Sequence, residues 1–363
     1  MKQHRLAIIG TGQSVGNHLR AIAEVGERVE LAAAVDLDEA RVKSVCAENN
    51  IPHAYSNTTD MLNAIQPDLV HIITPPATHA DLITQCLQAG AWVFCEKPLC
   101  GSLAEFDKIQ QAEAASTGYV STVFQWRYGS AARHLRKLMQ QGELGNPLVG
   151  VCHTLWYRTP AYYQVPWRGH WETEFGGPSV TLGIHLMDLF LWLMGDWQEV
   201  QAMIGTLDRD IEVEDVSMVH VRFENGAMSS VVNSALSPRQ ESYIRLDFQH
   251  ATVEVSALYR ASNEHWRYSI ADGSPFADQL EKWKTIPQDQ PGNHAVQLHE
   301  ILDCMEAGTR PHVTGDEARR IIEFLSSLYK SAATNQLVRR GSIDADDPFY
   351  LSLSGHASIP ERT

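Results

Sequence analysis

Short apolar runs alternate with segments of helical periodicity in the first third of the chain. The apolar runs predict strands at residues 5–9, 29–35, 69–73, 92–94 and 119–124. The segments of helical spacing lie between these runs, at about 17–25, 39–49, 78–89 and 102–116. Strict alternation implies parallel strands joined by right-handed crossovers. The pattern therefore predicts an α/β fold that begins with a doubly wound parallel sheet, in a domain over residues 1–124.

Beyond about residue 145 the apolar runs follow one another closely, and most have no helix between them. They lie at 148–156, 198–205, 216–223, 227–235, 243–248 and 251–256. This spacing predicts a large, mainly antiparallel sheet. One long apolar helix is expected near 179–194, and two helical segments, about 293–307 and 315–333, close the chain. Residues 125–363 are accordingly assigned to a second, α+β domain.

Composition narrows the functional classes. The 363 residues suggest roughly two domains, and the formal net charge is −15, with no lysine and arginine cluster that could form a basic face. This argues against nucleic acid and anionic membranes as partners, and no stretch reaches the ~18 apolar residues of a membrane span. The six cysteines form no Cys-x-x-Cys pair, and the paired spacings typical of zinc are missing. We expect a reduced, cytoplasmic protein with no metal site.

The turn after the first strand has the sequence Gly10-Thr-Gly12-Gln-Ser-Val15. Gly10 permits a tight turn and Gly12 a close approach of backbone to a pyrophosphate, although the third glycine of the fingerprint is Val15. Asp36 ends the second strand, where a carboxylate accepts ribose hydroxyls and repels a 2′-phosphate. NAD is therefore expected rather than NADP, although Arg41 and Lys43 could soften the discrimination. The alternative is a plain turn with a solvated aspartate, but the whole arrangement is rarer by chance.

Two further segments follow predicted strands at the edge of the sheet where ligands bind in such folds. They are Thr74-Pro-Pro-Ala-Thr-His79 and Cys95-Glu96-Lys97-Pro98. Pro98 pushes Lys97 toward extended geometry, and Glu96 can orient the lysine. An ammonium group beside nicotinamide can donate to a substrate hydroxyl and stabilise its oxygen during oxidation. A lone lysine there would more often be an exposed strand-end residue.

With these segments in place, the chain resembles the Gfo/Idh/MocA family, the group of glucose–fructose oxidoreductase and inositol dehydrogenase. Glu96-Lys97-Pro98-Leu99 after Thr74-Pro-x-x-x-His79 carries the resemblance. Further landmarks are Gln125-Trp-Arg127-Tyr128, Gly142-Glu-Leu-Gly145 and Gly176-Gly177-x₅-Gly183-Ile-His185-x-x-Asp188. The resemblance runs nearly end to end. It implies a Rossmann domain, NAD or NADP, sugar or polyol substrates, and a second domain whose sheet often serves as the oligomer interface.

The resemblance also implies roles for individual residues. Lys97 and His185 would be the catalytic pair, with Thr181 and Asp188 beside them. With the glycine turn included, the expected cofactor contacts are Gly10, Gly12, Gln13, Ser14, Val15, Asp36, Thr74, Pro75, His79, Glu96, Lys97, Gln125 and Arg168. The expected substrate contacts are Arg127, Tyr163, Trp167 and His185. Family members often carry aspartate at the position of Thr181, so a charged group there is lost or replaced by Asp188.

His185 lies in the apolar segment 179–194, where the polar exceptions are Thr181, His185 and Asp188. On a continuous helix, positions i, i+4 and i+7 form one narrow stripe. A polar stripe on a buried helix must meet polar groups, because unpaired buried groups are costly. We therefore expect His185 to act as a base, the alternative being a core histidine satisfied by Asp188.

The segment before this helix is rich in aromatic residues. They are Trp156, Tyr157, Tyr162, Tyr163, Trp167 and Trp171. Aromatic faces can stack on sugar rings, but they also pack protein cores, and the sequence leaves both interpretations open.

The expected activity is oxidation of a carbinol of a sugar, polyol or sugar derivative, with hydride transfer to NAD. A redox-neutral glycosidase or epimerase of the same family, in which hydride leaves and returns, stays open as an alternative. So does a cofactor-binding regulator without catalysis, although the presence of both Lys97 and His185 counts against it. A homodimer or homotetramer formed through the C-terminal sheet is expected.

Overall fold

The computed structural model describes residues 3–259 and 261–355, which form two compact units. The first unit extends to Val123 and also includes His294–Ile322; the remaining residues form the second unit. The sequence assigns every residue after 124 to the second domain. In the structure, residues 294–322 belong to the first unit instead.

The helices and strands follow the predicted alternation closely. The strands are β1 (His4–Ile9), β2 (Val29–Val35), β3 (His53–Tyr55), β4 (Leu69–Ile72), β5 (Trp92–Cys95), β6 (Val120–Thr122), β7 (Pro147–Tyr157), β8 (Trp197–Gly205), β9 (Val216–Phe223), β10 (Met228–Ser234), β11 (Leu236–Phe248), β12 (Thr252–Ser256), β13 (Trp266–Ser269) and β14 (Val338–Arg339). The α-helices are α1 (Val15–Val25), α2 (Glu39–Glu48), α3 (Thr58–Ile65), α4 (His79–Gln88), α5 (Leu103–Ala114), α6 (Ser130–Gln140), α7 (Trp171–Glu174), α8 (Pro178–Thr181), α9 (Ile184–Met194), α10 (Ala277–Lys284), α11 (His294–Ala307), α12 (Asp316–Thr334) and α13 (Pro348–Leu351).

The first unit is built on a six-stranded sheet of order β3-β2-β1-β4-β5-β6, in which all pairs are parallel. This is the strand order of the dinucleotide-binding doubly wound fold, and the predicted parallel sheet is confirmed. Helix α11 joins this unit because its apolar side chains, among them Leu298, Ile301 and Leu302, are buried in one cluster with Leu6 and Phe94 of the sheet. That burial explains why residues 294–322 depart from the predicted division.

The second unit contains an eight-stranded sheet of order β13-β12-β11-β7-β10-β9-β8-β14. Its pairs are antiparallel except for β7 with β10, so the predicted, mainly antiparallel sheet is confirmed. Helix α9 packs on β7, where a Cβ at Gly150 would lie 2.6 Å from the Phe190 ring. One sheet face is therefore part of the core.

The predicted helix over 179–194 is wrong in one respect, because it is broken into α8 and α9. At the break, a Cβ on Gly183 would lie 1.9 Å from Oδ1 of Asn233 on β10, so only glycine allows this approach. Among the described residues no single helix is long and apolar enough to cross a membrane. The bent pair Trp171–Thr181 and Ile184–Met194 reaches that length and composition only jointly, across a 56° bend.

Candidate active site

The glycine turn joins β1 to α1 in the first unit. Gly10 has φ +95°, and a Cβ there would lie 2.8 Å from the backbone C and O of Ile73. Gly12 is exposed, with Gln13 and Ser14 next to it, and a Cβ added to Gly12 would have no atom within 4 Å. Helix α1 begins at Val15. Open space before a helix N-terminus suits a pyrophosphate.

Asp36 follows β2 and is buried. Its Oδ2 accepts from the backbone N (2.8 Å) and Oγ1 (2.7 Å) of Thr11, and its Oδ1 accepts from Arg41 Nη2 (2.6 Å) and Asp38 N (3.0 Å). Burial acts to raise the pKa of Asp36, but these hydrogen bonds outweigh it and lower the pKa to about 2. The carboxylate is thus ionised, and the half-exposed Arg41 covers one side of it.

The loop after β4 contains Thr74 and Pro75, and His79 is the first residue of α4. Pro75 is exposed and Thr74 is half-buried, while His79 is fully buried. The His79 ring lies 2.7 Å from the Pro98 carbonyl oxygen through Nδ1 and 2.9 Å from the Thr74 carbonyl oxygen through Nε2. His79 therefore links the loop after β4 to the loop after β5.

The loop after β5 carries Glu96 and Lys97, and the Lys97–Pro98 peptide bond is cis. Lys97 is half-buried, and its backbone N donates to Glu96 Oε2 at 3.2 Å. The other carboxylate oxygen of Glu96, Oε1, lies 3.2 Å from His18 Nε2 and 3.3 Å from His294 Nε2. Glu96 is thus held from three directions within the first unit.

In the second unit, His185 lies in the first turn of α9 and is half-buried. Its ring stacks on Trp126 (centroids 5.9 Å apart, planes at 23°) and meets the edge of Phe124 at 6.2 Å. Between these two residues, Oε1 of Gln125 is buried and accepts no hydrogen bond from the part of the chain that the structure describes. Such a buried acceptor suits a hydrogen-bond donor on a ligand.

Asp188 and Arg127 form a buried ion pair in the second unit. Arg127 Nε donates to Asp188 Oδ2 at 2.6 Å, and Arg127 Nη2 donates to Asp188 Oδ1 at 2.5 Å. Their side chains are 6% and 1% exposed. The sequence predicts Arg127 as a substrate contact and Asp188 as a neighbour of His185, and the structure joins the two in one ion pair.

Thr181 ends α8, before the break, and its Oγ1 donates to the Gly177 carbonyl oxygen at 2.9 Å. Because α8 and α9 are separate helices, Thr181 does not continue the helical stripe of His185 and Asp188, and that part of the prediction is wrong. The start of α8 is fixed by buried Glu214, whose carboxylate accepts from the backbone N atoms of Gly177 (2.8 Å) and Ser179 (3.1 Å).

The aromatic segment holds Arg168 between rings. Its guanidinium lies 4.0 Å from the Tyr162 ring centroid and 4.4 Å from that of Trp167, and it bonds to Glu174 at 3.1 Å. Tyr163 is half-buried and meets Tyr162 edge-on. These contacts are internal packing within the second unit, and they fix the direction of Arg168.

The sequence does not predict the contacts that Thr11, His18 and His294 of the first unit make with Asp36 and Glu96. His18 lies on the buried side of α1 with Ala21, Ile22 and Val25. These apolar residues follow His18 at i+3, i+4 and i+7, so the sequence did contain a signal that His18 lies on the buried face of the helix. Thr11 and His294 carried none, because their partners lie elsewhere in the sequence.

Comparison with known proteins adds independent findings. Residues 4–124 match the profile of an oxidoreductase family with an NAD-binding Rossmann fold, and residues 132–273 match the GFO/IDH/MocA C-terminal domain. The D-apiose dehydrogenase of Paraburkholderia graminis is 26% identical over 377 residues, covering 98% of this chain and 95% of that protein. The myo-inositol 2-dehydrogenase of Thermotoga maritima is 26% identical and covers 94% and 99%, respectively.

Among solved structures, the WlbA dehydrogenase from Bordetella pertussis, in complex with NADH and UDP-GlcNAcA, is similar to this chain. It is 25% identical with a TM-score of 0.83, covering 93% of this chain and 99% of that one. These similarities extend over nearly the whole chain.

Proposed function

The chain belongs to the Gfo/Idh/MocA family of oxidoreductases, as its motifs predict, and on that premise we propose that it oxidises a carbinol of a sugar or polyol with NAD⁺. The observation that carries the proposal is the glycine turn of the first unit together with Asp36. The turn leaves open space at Gly12, and Asp36 presents an ionised carboxylate. Both features fit a dinucleotide.

The residues of the first unit fit NAD in two respects. Gly12 leaves room for a pyrophosphate at the N-terminus of α1, and Asp36 can accept ribose hydroxyls. When bound, NAD⁺ supplies the hydride acceptor. Thr74, Pro75 and the other predicted cofactor contacts are proposed on the family resemblance alone.

On the family resemblance, we propose that Lys97 and His185 act on the substrate hydroxyl. We assign to Lys97 the task of holding the hydroxyl oxygen, since an ammonium stabilises the charge that gathers there as the carbonyl forms. We assign to His185 the hydroxyl proton, because a neutral imidazole accepts a proton near neutral pH. The O–H proton would thus pass to His185 as the carbonyl forms.

The buried Arg127–Asp188 pair suggests roles for these two residues that differ from a substrate contact and a catalytic group. With Asp188 engaged by Arg127 in two hydrogen bonds, its main role is to neutralise that guanidinium within the unit that carries His185. We therefore propose Arg127 and Asp188 as positioning residues. A direct substrate contact by Tyr163, Trp167 or Arg168 stays a prediction.

The substrate class follows from the relatives. Those named above act, by name, on a branched sugar and a cyclitol, and one neighbour was solved with a nucleotide sugar acid. We propose a free sugar, polyol or sugar acid. The test is to incubate the purified protein with NAD⁺ and a panel of these compounds, adding glycosides and UDP-sugars, while following absorbance of NADH and product.

The two alternatives predict different outcomes of the same experiment. Formation of free NADH supports the dehydrogenase. Cleavage or epimerisation without NADH supports a redox-neutral enzyme, and NAD binding without turnover on any panel member supports a regulator.

One sheet face in the second unit supports the proposed homo-oligomer. Val149, Met203, Met218 and Met228 are 46–70% exposed and belong to the neighbouring strands β7, β8, β9 and β10. Met228 is in register with Val149, and Met203 with Met218, so their side chains share one face. Contiguous exposed apolar residues are typical of an interface. We propose a homodimer or homotetramer formed through this face.

A further inference from the structure

A cluster of three histidines and one carboxylate lies inside the first unit. His18 comes from α1, His71 from β4, Glu96 from the loop after β5, and His294 from the first residue of α11. One ligand atom from each of His18, Glu96 and His294 lies within 4.8 Å of the other two. We propose that His18, Glu96 and His294 bind a divalent transition metal ion, of which Zn²⁺ is the best match.

The distances from Glu96 to the two histidines fit coordination of one metal ion. Glu96 Oε1 lies 3.2 Å from His18 Nε2 and 3.3 Å from His294 Nε2. Ligands about 2.0–2.1 Å from a tetrahedral zinc ion are separated by about 3.3–3.4 Å, which is the edge of the tetrahedron. Charge-assisted N–H···O bonds are shorter, about 2.7–2.9 Å. The two observed separations therefore match the edges of a coordination sphere.

The surroundings of the cluster resemble the outer shell of a metal site. A ligating histidine usually bonds through its second ring nitrogen to another group, which fixes the ring. Nδ1 of His18 lies 3.1 Å from Nδ1 of buried His71, and the Phe94 ring packs against His18, His71 and His294. His71 is thus the orienting partner, and Phe94 supplies an apolar wall.

The chemical types of the ligands agree with this assignment, because imidazole nitrogen and carboxylate oxygen are both common donors to zinc. Bound there, the ion would join α1, the loop that carries Lys97, and α11.

The test uses the full-length protein, stripped of metal with a chelator and titrated with Zn²⁺, and with Co²⁺ as a spectroscopic probe. We expect one metal ion per chain, visible absorption typical of tetrahedral Co²⁺, and a higher Tm with Zn²⁺. Glu96→Gln and His294→Gln should abolish stoichiometric binding. His71→Phe, which removes only the orienting partner, should weaken binding about 10–100-fold.

The matched control is His312→Gln, because exposed His312 pairs with Glu300 (2.7 Å) in the same unit and represents a surface histidine–carboxylate pair. It should bind metal like the unmodified protein. Absence of stoichiometric metal, or binding that survives both ligand substitutions, would overturn the proposal and make the cluster a hydrogen-bonded one. If Glu96→Gln does not fold, His294→Gln decides. No step needs NAD or substrate, so this test and that of the dehydrogenase fail independently.

Discussion

Cofactor discrimination at Asp36 can be worked out from its contacts. A carboxylate offers about four acceptor positions, and Thr11, Asp38 and Arg41 already use them. A ribose hydroxyl must therefore displace the half-exposed Arg41. A hydrogen bond to a charged group contributes about 1.5–3 kcal/mol, and loss of an exposed ion pair costs about 0–1 kcal/mol. The net gain in binding free energy of about 1–2 kcal/mol implies that NAD binds more tightly than NADP by a factor of roughly ten.

The assay is titration of NADH and NADPH by intrinsic fluorescence at fixed ionic strength. Asp36→Ala should narrow the preference, because it removes the ribose acceptor and the charge that repels a 2′-phosphate. Arg41→Ala should widen it, because the mutation frees the carboxylate and removes the cation that could meet that phosphate. Lys43→Ala is the control, since Lys43 lies on the same helix and pairs with Glu39 at 3.0 Å. Equal or tighter NADPH binding by the unmodified protein would refute the reasoning.

The preference for NAD over NADP should also be constant across neutral pH. The pKa of Asp36 is about 2 in the folded protein, below its ordinary value near 4. A depressed pKa means that the charge and its contribution to stability are fully present above about pH 4, and are lost as pH falls toward 2. A change of cofactor preference between pH 6 and 9 would point to another group.

Three further predictions concern catalysis and assembly. Lys97→Ala should lower kcat on the order of 10²-fold in steady-state assays while NAD affinity changes little, and near-normal turnover would leave Lys97 a strand-end cation. His185→Asn should cost on the order of 10²-fold and remove the acid limb of kcat/KM for oxidation, with Thr181→Ala costing much less; an unchanged pH profile would return His185 to a packing role. Met203→Glu with Met218→Glu should shift the oligomer toward monomer in sedimentation, and an unchanged mass would place the interface elsewhere.

The fold was predictable from periodicity because most elements are long and apolar. Strands such as β2 and β9 matched their predicted ranges. Two of the strands that were not predicted have physical causes: β3 is a three-residue strand at the sheet edge with mostly exposed side chains, and β14 is two residues long. The helix break came from the Gly183–Asn233 approach, a contact that local sequence does not reveal.

The candidate site was predictable where function depends on a local motif and unpredictable where it depends on distant partners. Gly10 and Asp36 belong to a strand–turn–helix–strand unit whose geometry follows from the sequence. The metal cluster does not, because Glu96 is 78 residues from His18 and 198 from His294. Zinc motifs are recognised by short paired spacings, so a site assembled by the sheet from three separate segments gives no such signal.

Asp188 shows how burial requires a charged partner that spacing along its own helix does not reveal. Helical spacing brings it within one turn of His185, and that proximity suggested a shared role. A carboxylate that is 1% exposed requires compensating charge, however, and the guanidinium of Arg127 provides it in two hydrogen bonds. Removing either partner of such a pair typically costs about 3–5 kcal/mol, more than a neutral imidazole could recover. Spacing along a helix therefore identifies Asp188 as a neighbour of His185, and the requirement to neutralise a buried charge accounts for its ion pair with Arg127.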